Sequence, residues 1–576
     1  MRRVMFIILS FTFVLASRPA RAETTPIIDM EWPFQPVVGQ HGMVVSEDAL
    51  ASRIGAEILA KGGNAVDAAV AVGFALAVTL PKAGNLGGGG FMMIYLHKSK
   101  KATAIDYRET AASAAHAKMF WQGSGIDKFA IRYSGKATAV PGTVAGLLLA
   151  HEKYGRLSRQ EVMAPAIRLA KSGFKVSFAL EDSLRKAKKR LMRCEVSRKI
   201  FFHDNGKPYS AGEIMKRPDL AWTLTEIQRY GRAGFYEGAV ADKFVASIRA
   251  HDGLITKEDL KRYRAVERTP LGADFGAFRV LTMPPPSSGG VHLLQMLKVL
   301  SHFPLKALGP NRASTYQIMI EAMRVAYADR SRYLGDPDFV QVPVSKLISD
   351  DYAERIAKHI ERGKAKKSED IRPGQWLSHE SHETTHFSVI DRDGNMVANT
   401  YTLNFSFGSG HTAEGTGILL NNEMDDFAAR PGIPNAYGLI GNEANAIAPG
   451  KRPLSSMTPT LVLKNNRPWL ATGSPGGSTI ITTVLQVLLN TMVHNMNIAS
   501  AVAWPRIHHQ WLPDKVFVEP TISQDTVEKL RTMGYDVVRR KSLGGAQSIM
   551  FDGQYFYGAP DPRKPGSAAI SVDLVR

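Results

Sequence analysis

Cysteine is almost absent from this chain: the 576 residues include only Cys194. A single cysteine cannot form an internal disulfide, so packing has to stabilise the fold. Cys194 lies in the basic stretch RKAKKRLMRCEVSRK, and no catalytic motif surrounds it. We therefore interpret the thiol as incidental and not as a nucleophile.

Apolar runs long enough to cross a membrane are also lacking. The first run, Val4–Ala16, spans 13 residues, follows two arginines and precedes the sequence ARA at 20–22. A basic start, a short apolar core and an A-x-A sequence are typical of a secretory signal peptide. We predict that residues 1–22 are removed, that the mature chain begins near Glu23, and that the protein is periplasmic or secreted.

The second apolar run, Ala65–Leu80, contains Asp67 and stops at Pro81. These features favour a buried helix over a membrane span. Just before it, SEDALASRIGAEILAKGG shows apolar residues at helical spacing and ends in a glycine pair. We predict helical structure over 45–80, with Ser46 as the cap of the first helix.

A phosphate-binding loop is missing, although GNLGGGGFMMIYL at 84–96 is rich in glycine. The run lacks the Lys-Ser/Thr ending of such a loop, and it leads into a strand instead of a helix. Glycines before a strand indicate a close approach of backbones or of a ligand. We expect the strand to continue as a hairpin through KSKKATAIDYRE, which places Arg108 at a strand end.

Acidic residues are outnumbered, since 72 lysines and arginines face 53 aspartates and glutamates and give a net charge of +19. The leader contributes four positive charges and no acids, which leaves 19 − 4 = +15 for the mature chain. Two clusters, 185–199 and 358–367, hold part of this excess. Neither has the interleaved aromatics of a nucleic-acid surface, so we expect solvated basic faces that attract anions and no nucleic-acid partner.

The stretch SHETTHFSVID at 381–391 supports two incompatible interpretations. His382, Glu383 and His386 match the zinc motif H-E-x-x-H, which requires a helix so that both imidazoles reach one metal. The two threonines and the alternation that follows favour a strand instead. In a strand, residues four apart lie roughly 13 Å from each other. A zinc site is therefore disfavoured, and Thr384 becomes the residue of interest.

A hairpin register follows if the RDG at 392–394 is a three-residue loop with Gly394 in the left-handed conformation. Apolar residues then match across the two strands, and Thr384 lies opposite Thr402. A hydroxyl would face Thr384 at hydrogen-bond range. The pattern alone favours a Thr–Thr pair that only stabilises a sheet.

Several motifs, in order along nearly the whole mature chain, resemble the γ-glutamyltransferase (glutathione hydrolase) family: GNLGGGGFM, DYRETA, PGTVAG, MPPPSSGG, TTHFSVIDRDGNMVANTYTLN, GILLNNEMDDF, KRPLSSMTPT and TGSPGGSTIITTVLQ. The resemblance implies an N-terminal-nucleophile hydrolase, an α/β protein with a four-layer αββα sandwich. It also implies self-cleavage between Glu383 and Thr384, giving a large fragment 23–383 and a small fragment 384–576. It implies neither a cofactor nor a metal.

The resemblance also implies which residues of this sequence correspond to the family's site residues. Thr384 corresponds to the nucleophile, Thr402 to the residue that holds it, and Gly476 with Gly477 to the backbone donors of an oxyanion site. The residues implied to bind substrate are Arg108 for the α-carboxylate, Ser455 and Ser456 beside it, Asp426, Glu423 and Asn404 for the α-ammonium, and Tyr437 on a covering loop.

Three functions remain open at this level. The first is transfer or hydrolysis of the γ-glutamyl group of glutathione and related donors, with water, amino acids or peptides as acceptors and with the two fragments as a heterodimer. The second is a related acylase that acts on glutaryl cephalosporins. The third is a family member that folds and binds but does not cut.

Overall fold

The computed structural model describes residues 31–371, 384–433, 435–436 and 439–575. The predicted leader, Glu383 and Tyr437 lie outside the described residues. Within the described ranges, no helix combines the length and apolar character that crossing a bilayer requires.

Most strands of the described residues belong to two seven-stranded antiparallel sheets. In chain order they are β1 (Val37–Gly39), β2 (Gly42–Ser46), β3 (Gly89–Leu96), β4 (Lys101–Tyr107), β5 (Val266–Arg268), β6 (Leu271–Phe275), β7 (Phe278–Thr282), β8 (Thr385–Asp391), β9 (Met396–Thr402), β10 (Thr460–Lys464), β11 (Arg467–Thr472), β12 (Gln547–Phe551), β13 (Phe556–Pro560) and β14 (Ala568–Ser571). The first sheet has the order β1-β13-β12-β11-β10-β7-β6, and the second has the order β14-β2-β8-β9-β3-β4-β5.

Helices cover the outer face of each sheet. Those of six residues or more are α1 (Ala49–Ala60), α2 (Ala65–Thr79), α3 (Thr143–Tyr154), α4 (Arg159–Ser172), α5 (Phe178–Leu191), α6 (Glu195–Phe201), α7 (Pro218–Tyr230), α8 (Gly238–Arg249), α9 (Lys257–Arg262), α10 (Gly289–Ser301), α11 (Ala313–Tyr333), α12 (Asp350–Lys358), α13 (Thr479–Met492), α14 (Ile498–Ala503) and α15 (Gln524–Thr532). A small three-stranded sheet (Ile507–His508, Val516–Val518 and Val537–Arg539), three strand pairs and single helical turns lie between these elements.

Side chains along β8 and β9 point alternately into two different hydrophobic cores. Val389 and Val397 join the core beneath the helices of the second sheet, whereas Ile390 and Met396 join the core between the two sheets. Successive strand residues point to opposite faces, so one hairpin serves both cores. A third core lies between the first sheet and its own helices. The predicted four-layer αββα sandwich is therefore confirmed.

The predicted buried helix is confirmed, but the predicted cap of α1 is wrong. All residues of α2 are buried, and Asp67 closes a capping box with Asn64, so its charge satisfies backbone donors. Ser46 is the last residue of β2, where its hydroxyl contacts Ser52 at 2.7 Å. Asp48 caps α1 instead by accepting the N–H of Ala51 at 3.0 Å.

The two basic clusters differ in their surroundings. In 358–367, Lys358 and Lys364 are exposed and pair with Glu354 and Glu361, as the solvated interpretation predicts. In 185–199 the interpretation is wrong for Arg190, which is partly buried and donates through Nη1 to the carbonyl of Ser406, whereas Arg193 is exposed as predicted. Both guanidinium groups lie over the ring of Tyr133. Aromatic faces attract these cations, and the stems cover apolar surface.

Both sheets draw strands from each side of position 384. The second sheet places β8 and β9 between β2 and β3, and the first places β10 beside β7. A chain cut at 384 would therefore still need both pieces to complete either sheet.

Candidate active site

Thr384 immediately precedes β8, at the start of the hairpin. The register pairs Ile390 with Met396 and Thr385 with Tyr401, and Gly394 adopts a φ of 79°. The predicted register is thus confirmed, and it places Thr384 opposite Thr402. The Thr384 hydroxyl donates to the Thr402 hydroxyl at 3.5 Å, the long end of the hydrogen-bond range.

The Thr402 hydroxyl is fixed from the other side by the chain that follows β9. It accepts the backbone N–H of Asn404 at 2.8 Å. Asn404 has a φ of 71°, a conformation that asparagine tolerates better than most residues. Its side-chain amide donates to the carbonyl of Asn422 at 2.9 Å. The turn at Asn404 therefore fixes the Thr402 hydroxyl and connects it, through hydrogen bonds, to Asn422, which precedes Glu423.

His386 belongs to the H-E-x-x-H motif and falls within the described residues. It lies in β8 and is fully buried, with Nδ1 at 2.7 Å from the Thr400 hydroxyl and Nε2 at 3.1 Å from the Ser388 hydroxyl. Burial lowers the pKa of the imidazole to about 3. Both ring nitrogens are thus engaged by hydroxyl groups. His382 and Glu383 lie outside the described residues.

A cavity opens beside Thr384, with about 320 Å³ of empty space that includes open solvent. The residues that line it are Arg108, Arg330, Thr384, Thr402, Asn404, Glu423, Asp426, Leu439, Ser455, Ser456, Met457, Gly477 and Ile480. The fold thus brings together, around one cavity, the predicted site residues other than Gly476, which adjoins the lining residue Gly477, and Tyr437, which lies outside the described residues.

Arg108 follows β4, as the hairpin predicts, and its guanidinium is completely buried. Nη1 forms an ion pair with Glu423, and Nη2 forms one with Asp426 at 2.5 Å. Nε donates to the carbonyl of Pro453 at 3.1 Å. Burial alone would lower the pKa of Arg108, but the carboxylates of Glu423 and Asp426 raise it above its ordinary value.

Acidic groups outnumber the cation around Arg108. Glu109 lies 3.5 Å from Nη1, so three carboxyls surround one guanidinium. Burial raises the pKa of Glu109 to about 7 and that of Glu423 well above its ordinary value, in both cases against the lowering effect of Arg108. A buried cluster with excess negative charge favours an added cation or a shared proton. Its chemistry therefore suits an ammonium group.

Ser455 and Ser456 are braced by the PPPSSGG segment. The backbone N–H of Ser288 donates to the carbonyl of Ser455 at 2.8 Å, and the N–H of Ser455 donates to the carbonyl of Pro286 at 3.0 Å. The Ser288 hydroxyl donates to the same Ser455 carbonyl at 2.8 Å. These bonds fix the backbone of Ser455 at the cavity wall, and the Ser455 hydroxyl accepts the N–H of Met457 at 3.1 Å.

Gly476 and Gly477 form the turn before α13. Their φ values are +132° and +55°, and a Cβ on Gly476 would lie 2.4 Å from the Thr479 hydroxyl oxygen. Both conformation and space thus exclude a side chain at Gly476. The N-terminus of α13 adds a partial positive charge on this side of Thr384, where a developing oxyanion would be stabilised.

The family model for γ-glutamyltranspeptidase matches residues 51–571. The chain belongs to the γ-glutamyltranspeptidase family. It is similar to the glutathione hydrolase proenzyme of Escherichia coli strain K12, with 50% identity over 534 residues and 92% of each chain covered. Family membership and the sandwich fold together make it an N-terminal-nucleophile hydrolase.

Two solved structures are similar to this member of the γ-glutamyltranspeptidase family. A cephalosporin acylase from Bacillus halodurans superposes with a TM-score of 0.81 at 27% identity, covering 99% of both chains. The γ-glutamyltranspeptidase of Helicobacter pylori shows 42% identity and a TM-score of 0.56, covering 58% of this chain and 95% of that one.

Arg330 is the polar lining residue that sequence reasoning missed. It projects from α11, donates through Nε to Ser288 at 2.9 Å and through Nη2 to Ser456 at 3.3 Å, and is buried. Burial lowers its pKa to about 10. Among the described residues, no carboxylate lies within ion-pair distance of it. No local signal separates Arg330 from the other arginines of α11, because only packing shows which one reaches the cavity.

Proposed function

We propose that this γ-glutamyltranspeptidase-family chain is a self-processing γ-glutamyltransferase with Thr384 as its nucleophile. The observation that carries the proposal is the position of the Thr384 hydroxyl, which is paired with Thr402 at the edge of a cavity that holds both buried cations and buried carboxyls. Such a cavity matches the free end of a γ-glutamyl group, which carries one carboxylate and one ammonium.

Processing begins when the Thr384 hydroxyl oxygen attacks the carbonyl carbon of Glu383. The peptide C–N bond breaks, a C–O ester bond forms, and the proton passes to the released α-amine. Water then hydrolyses the ester and leaves a carboxylate on Glu383. The products are a large fragment 23–383 and a small fragment 384–576, which stay together because each sheet contains strands of both.

Turnover uses the same hydroxyl with a new base. The free α-amine of Thr384, with an ordinary pKa of about 8, accepts the hydroxyl proton as oxygen attacks the γ-amide carbon. The backbone N–H groups of Gly476 and Gly477 receive the oxyanion. The amide C–N bond breaks, the proton moves to the leaving amine, and a γ-glutamyl ester remains until water or an acceptor amine replaces Thr384.

Recognition follows from the distribution of charge around the cavity. Asp426 and Glu423 bind the α-ammonium with the help of Asn404. The α-carboxylate lies against Ser455, Ser456 and the guanidinium of Arg108. Because Arg108 already donates to two carboxylates, we assign Arg330 as the second cation for this carboxylate.

Processing is tested on purified wild type, Thr384→Ala and Thr384→Ser. Wild type should give copurifying bands of about 40 kDa and about 21 kDa, the shares of the 63.1 kDa chain that fall in residues 23–383 and 384–576. N-terminal sequencing of the small band should begin at Thr384. Thr384→Ala should stay in one piece, whereas Thr384→Ser keeps a hydroxyl and should still be cut. Cleavage of the alanine variant at 383–384 would disprove the mechanism.

A glutaryl acylase is the second candidate, favoured by the likeness to the Bacillus halodurans acylase over 99% of the chain. A glutaryl group keeps the distal carboxylate but lacks the ammonium. The excess of carboxyls around Arg108 has no partner in such a substrate, which supports the γ-glutamyl donor, with glutathione as the representative compound.

Export and assembly complete the proposal. The leader 1–22 directs the chain to the periplasm or the medium, and the two fragments form the working heterodimer. N-terminal sequencing of the large fragment from an osmotic-shock fraction should start at or near Glu23. Recovery of a chain beginning at Met1 in the cytoplasmic fraction alone would contradict export.

A further inference from the structure

Away from the active-site cavity, Cys194, His251 and His411 bring three metal-binding atoms together. The thiol and one ring nitrogen from each histidine lie within 4.8 Å of one another. The two imidazole rings have centroids 4.2 Å apart at an angle of 64°. Cys194 precedes α6, His251 follows α8, and His411 lies in the loop after β9. Three separate segments therefore converge on one point.

Few hydrogen bonds engage this Cys-His-His cluster, although the backbone of Tyr133 also acts on the His411 ring. Nδ1 of His411 is buried and has no hydrogen-bond partner among the described residues. The Cys194 sulfur has a single weak contact, 4.0 Å from the carbonyl oxygen of Thr412. A buried imidazole nitrogen without a partner loses its bond to water, and a metal ion would restore the lost interaction.

The donor set selects the class of ion. One thiolate and two imidazoles suit Zn²⁺ and other borderline or soft transition ions, and they do not suit Mg²⁺ or Ca²⁺. Zinc bonds of about 2.0–2.3 Å place neighbouring donors roughly 3.3–3.7 Å apart in a tetrahedron. Side-chain rotation of an ångström or so would contract the observed cluster to that spacing, with water as the fourth ligand.

One cation and one anion act on the histidines of the cluster. Arg193 acts on His411, and Asp252 acts on His251. The Arg193 guanidinium lies over the ring of Tyr133, 4.7 Å from its centroid.

The cluster also joins the two fragments of the proposed enzyme. Cys194 and His251 precede position 384, whereas His411 follows it. The Ser197 hydroxyl donates to the carbonyl of Gly410 at 2.7 Å and lies 2.8 Å from the Thr412 hydroxyl, so α6 is fastened to the loop that carries His411. We propose that Cys194, His251 and His411 form a structural site for Zn²⁺ or a similar ion that fastens the large fragment to the small one.

The test uses the purified full chain, stripped with a chelator and titrated with Zn²⁺ by calorimetry and with Co²⁺ by absorption. Binding replaces the thiol proton with the metal, and sulfur ligation gives Co²⁺ a thiolate charge-transfer band. Wild type should bind about one equivalent with this band and melt at a higher temperature with Zn²⁺. Cys194→Ser should lose the band, and His411→Asn should bind at least about tenfold more weakly.

The matched control is His302→Asn, which alters an exposed histidine and should bind like wild type. Thr384→Ala should also bind like wild type, because the cluster exists in the uncut chain; a failure of self-processing therefore leaves this test intact. Absence of the charge-transfer band in wild type would overturn the site without any variant. Equal weakening by His302→Asn would show adventitious surface binding and would overturn it as well.

Discussion

Asp426 is the residue whose replacement separates the two candidate substrates. One of its carboxylate oxygens accepts from Arg108 Nη2 at 2.5 Å, and the other lies 3.4 Å from the Asn435 amide. The side chain remains 15% exposed, on the cavity side. Asp426→Asn keeps the shape and removes the charge. Arg108 retains its ion pairs with Glu423 and Glu109, so the variant should fold.

The expected magnitude follows from the lost charge. A charge-assisted hydrogen bond contributes about 1.5–3 kcal/mol. At about 1.36 kcal/mol per tenfold in rate, Asp426→Asn should lower kcat/KM for a γ-glutamyl anilide about 10- to 150-fold. On the matched glutaryl anilide the change should be neutral or favourable, because Nη2 of Arg108 is released for the substrate carboxylate and one buried negative charge is removed.

The assay measures kcat/KM of wild type and variants on the two anilides. Asp425→Asn is the matched control: this neighbouring carboxyl is buried, does not line the cavity, and accepts the N–H of Ala436 at 3.0 Å. It should change both substrates equally and modestly. If Asp426→Asn harms both substrates to the same extent, Asp426 acts only by holding Arg108. If wild type prefers the glutaryl compound, the acylase takes the place of the transferase.

Three further predictions follow from the same geometry. Thr402→Val removes the acceptor of the Thr384 hydroxyl and should slow both processing and turnover about 5- to 10-fold, whereas Thr402→Ser should not; equal rates on a gel time course would exclude this role. Arg330→Lys should raise KM about tenfold on both anilides without preventing processing, since a lysine does not reproduce the planar fork; an unchanged KM would remove Arg330 from the carboxylate site. His386, with its folded pKa lowered to about 3 against an ordinary 6.5, stabilises the fold above pH 6.5 and loses that contribution as pH falls toward 3. The free energy of unfolding should therefore fall by up to about 1.4 kcal/mol per pH unit more in wild type than in His386→Gln, and parallel pH profiles from denaturant titration would refute this.

The local sequence pattern predicted the hairpin of β8 and β9, at the start of which Thr384 lies. The three-residue loop at 392–394 and the alternation on both sides of it fix a hairpin register without reference to any other part of the chain. The predicted pair of Thr384 and Thr402 therefore appears in the structure, at 3.5 Å. Arg108 at the end of β4 follows from the same kind of short-range rule. Hairpins are determined by adjacent residues, so a one-dimensional pattern contains their geometry.

The cap of α1 shows the limit of that reasoning even at short range. Ser46 and Asp48 are both good N-cap residues, and the sequence does not decide between them. Strand β2 extends to Ser46 because β8 and β14 pair with it on either side, which leaves Asp48 to start the helix. A neighbour more than 300 positions away thus set a helix boundary.

The sequence alone determined the signal-peptide and nucleophile hypotheses, the hairpin, the strand end at Arg108 and, through its motifs, the family. Only the tertiary structure showed that Arg108 is already paired with Glu423 and Asp426, that Arg330 reaches the same cavity, and that Cys194 lies beside His251 and His411. These contacts join residues from separate segments, some of them hundreds of positions apart. Side-chain identity states what each residue is able to bind, but packing of the two sheets and their helices decides which residues meet.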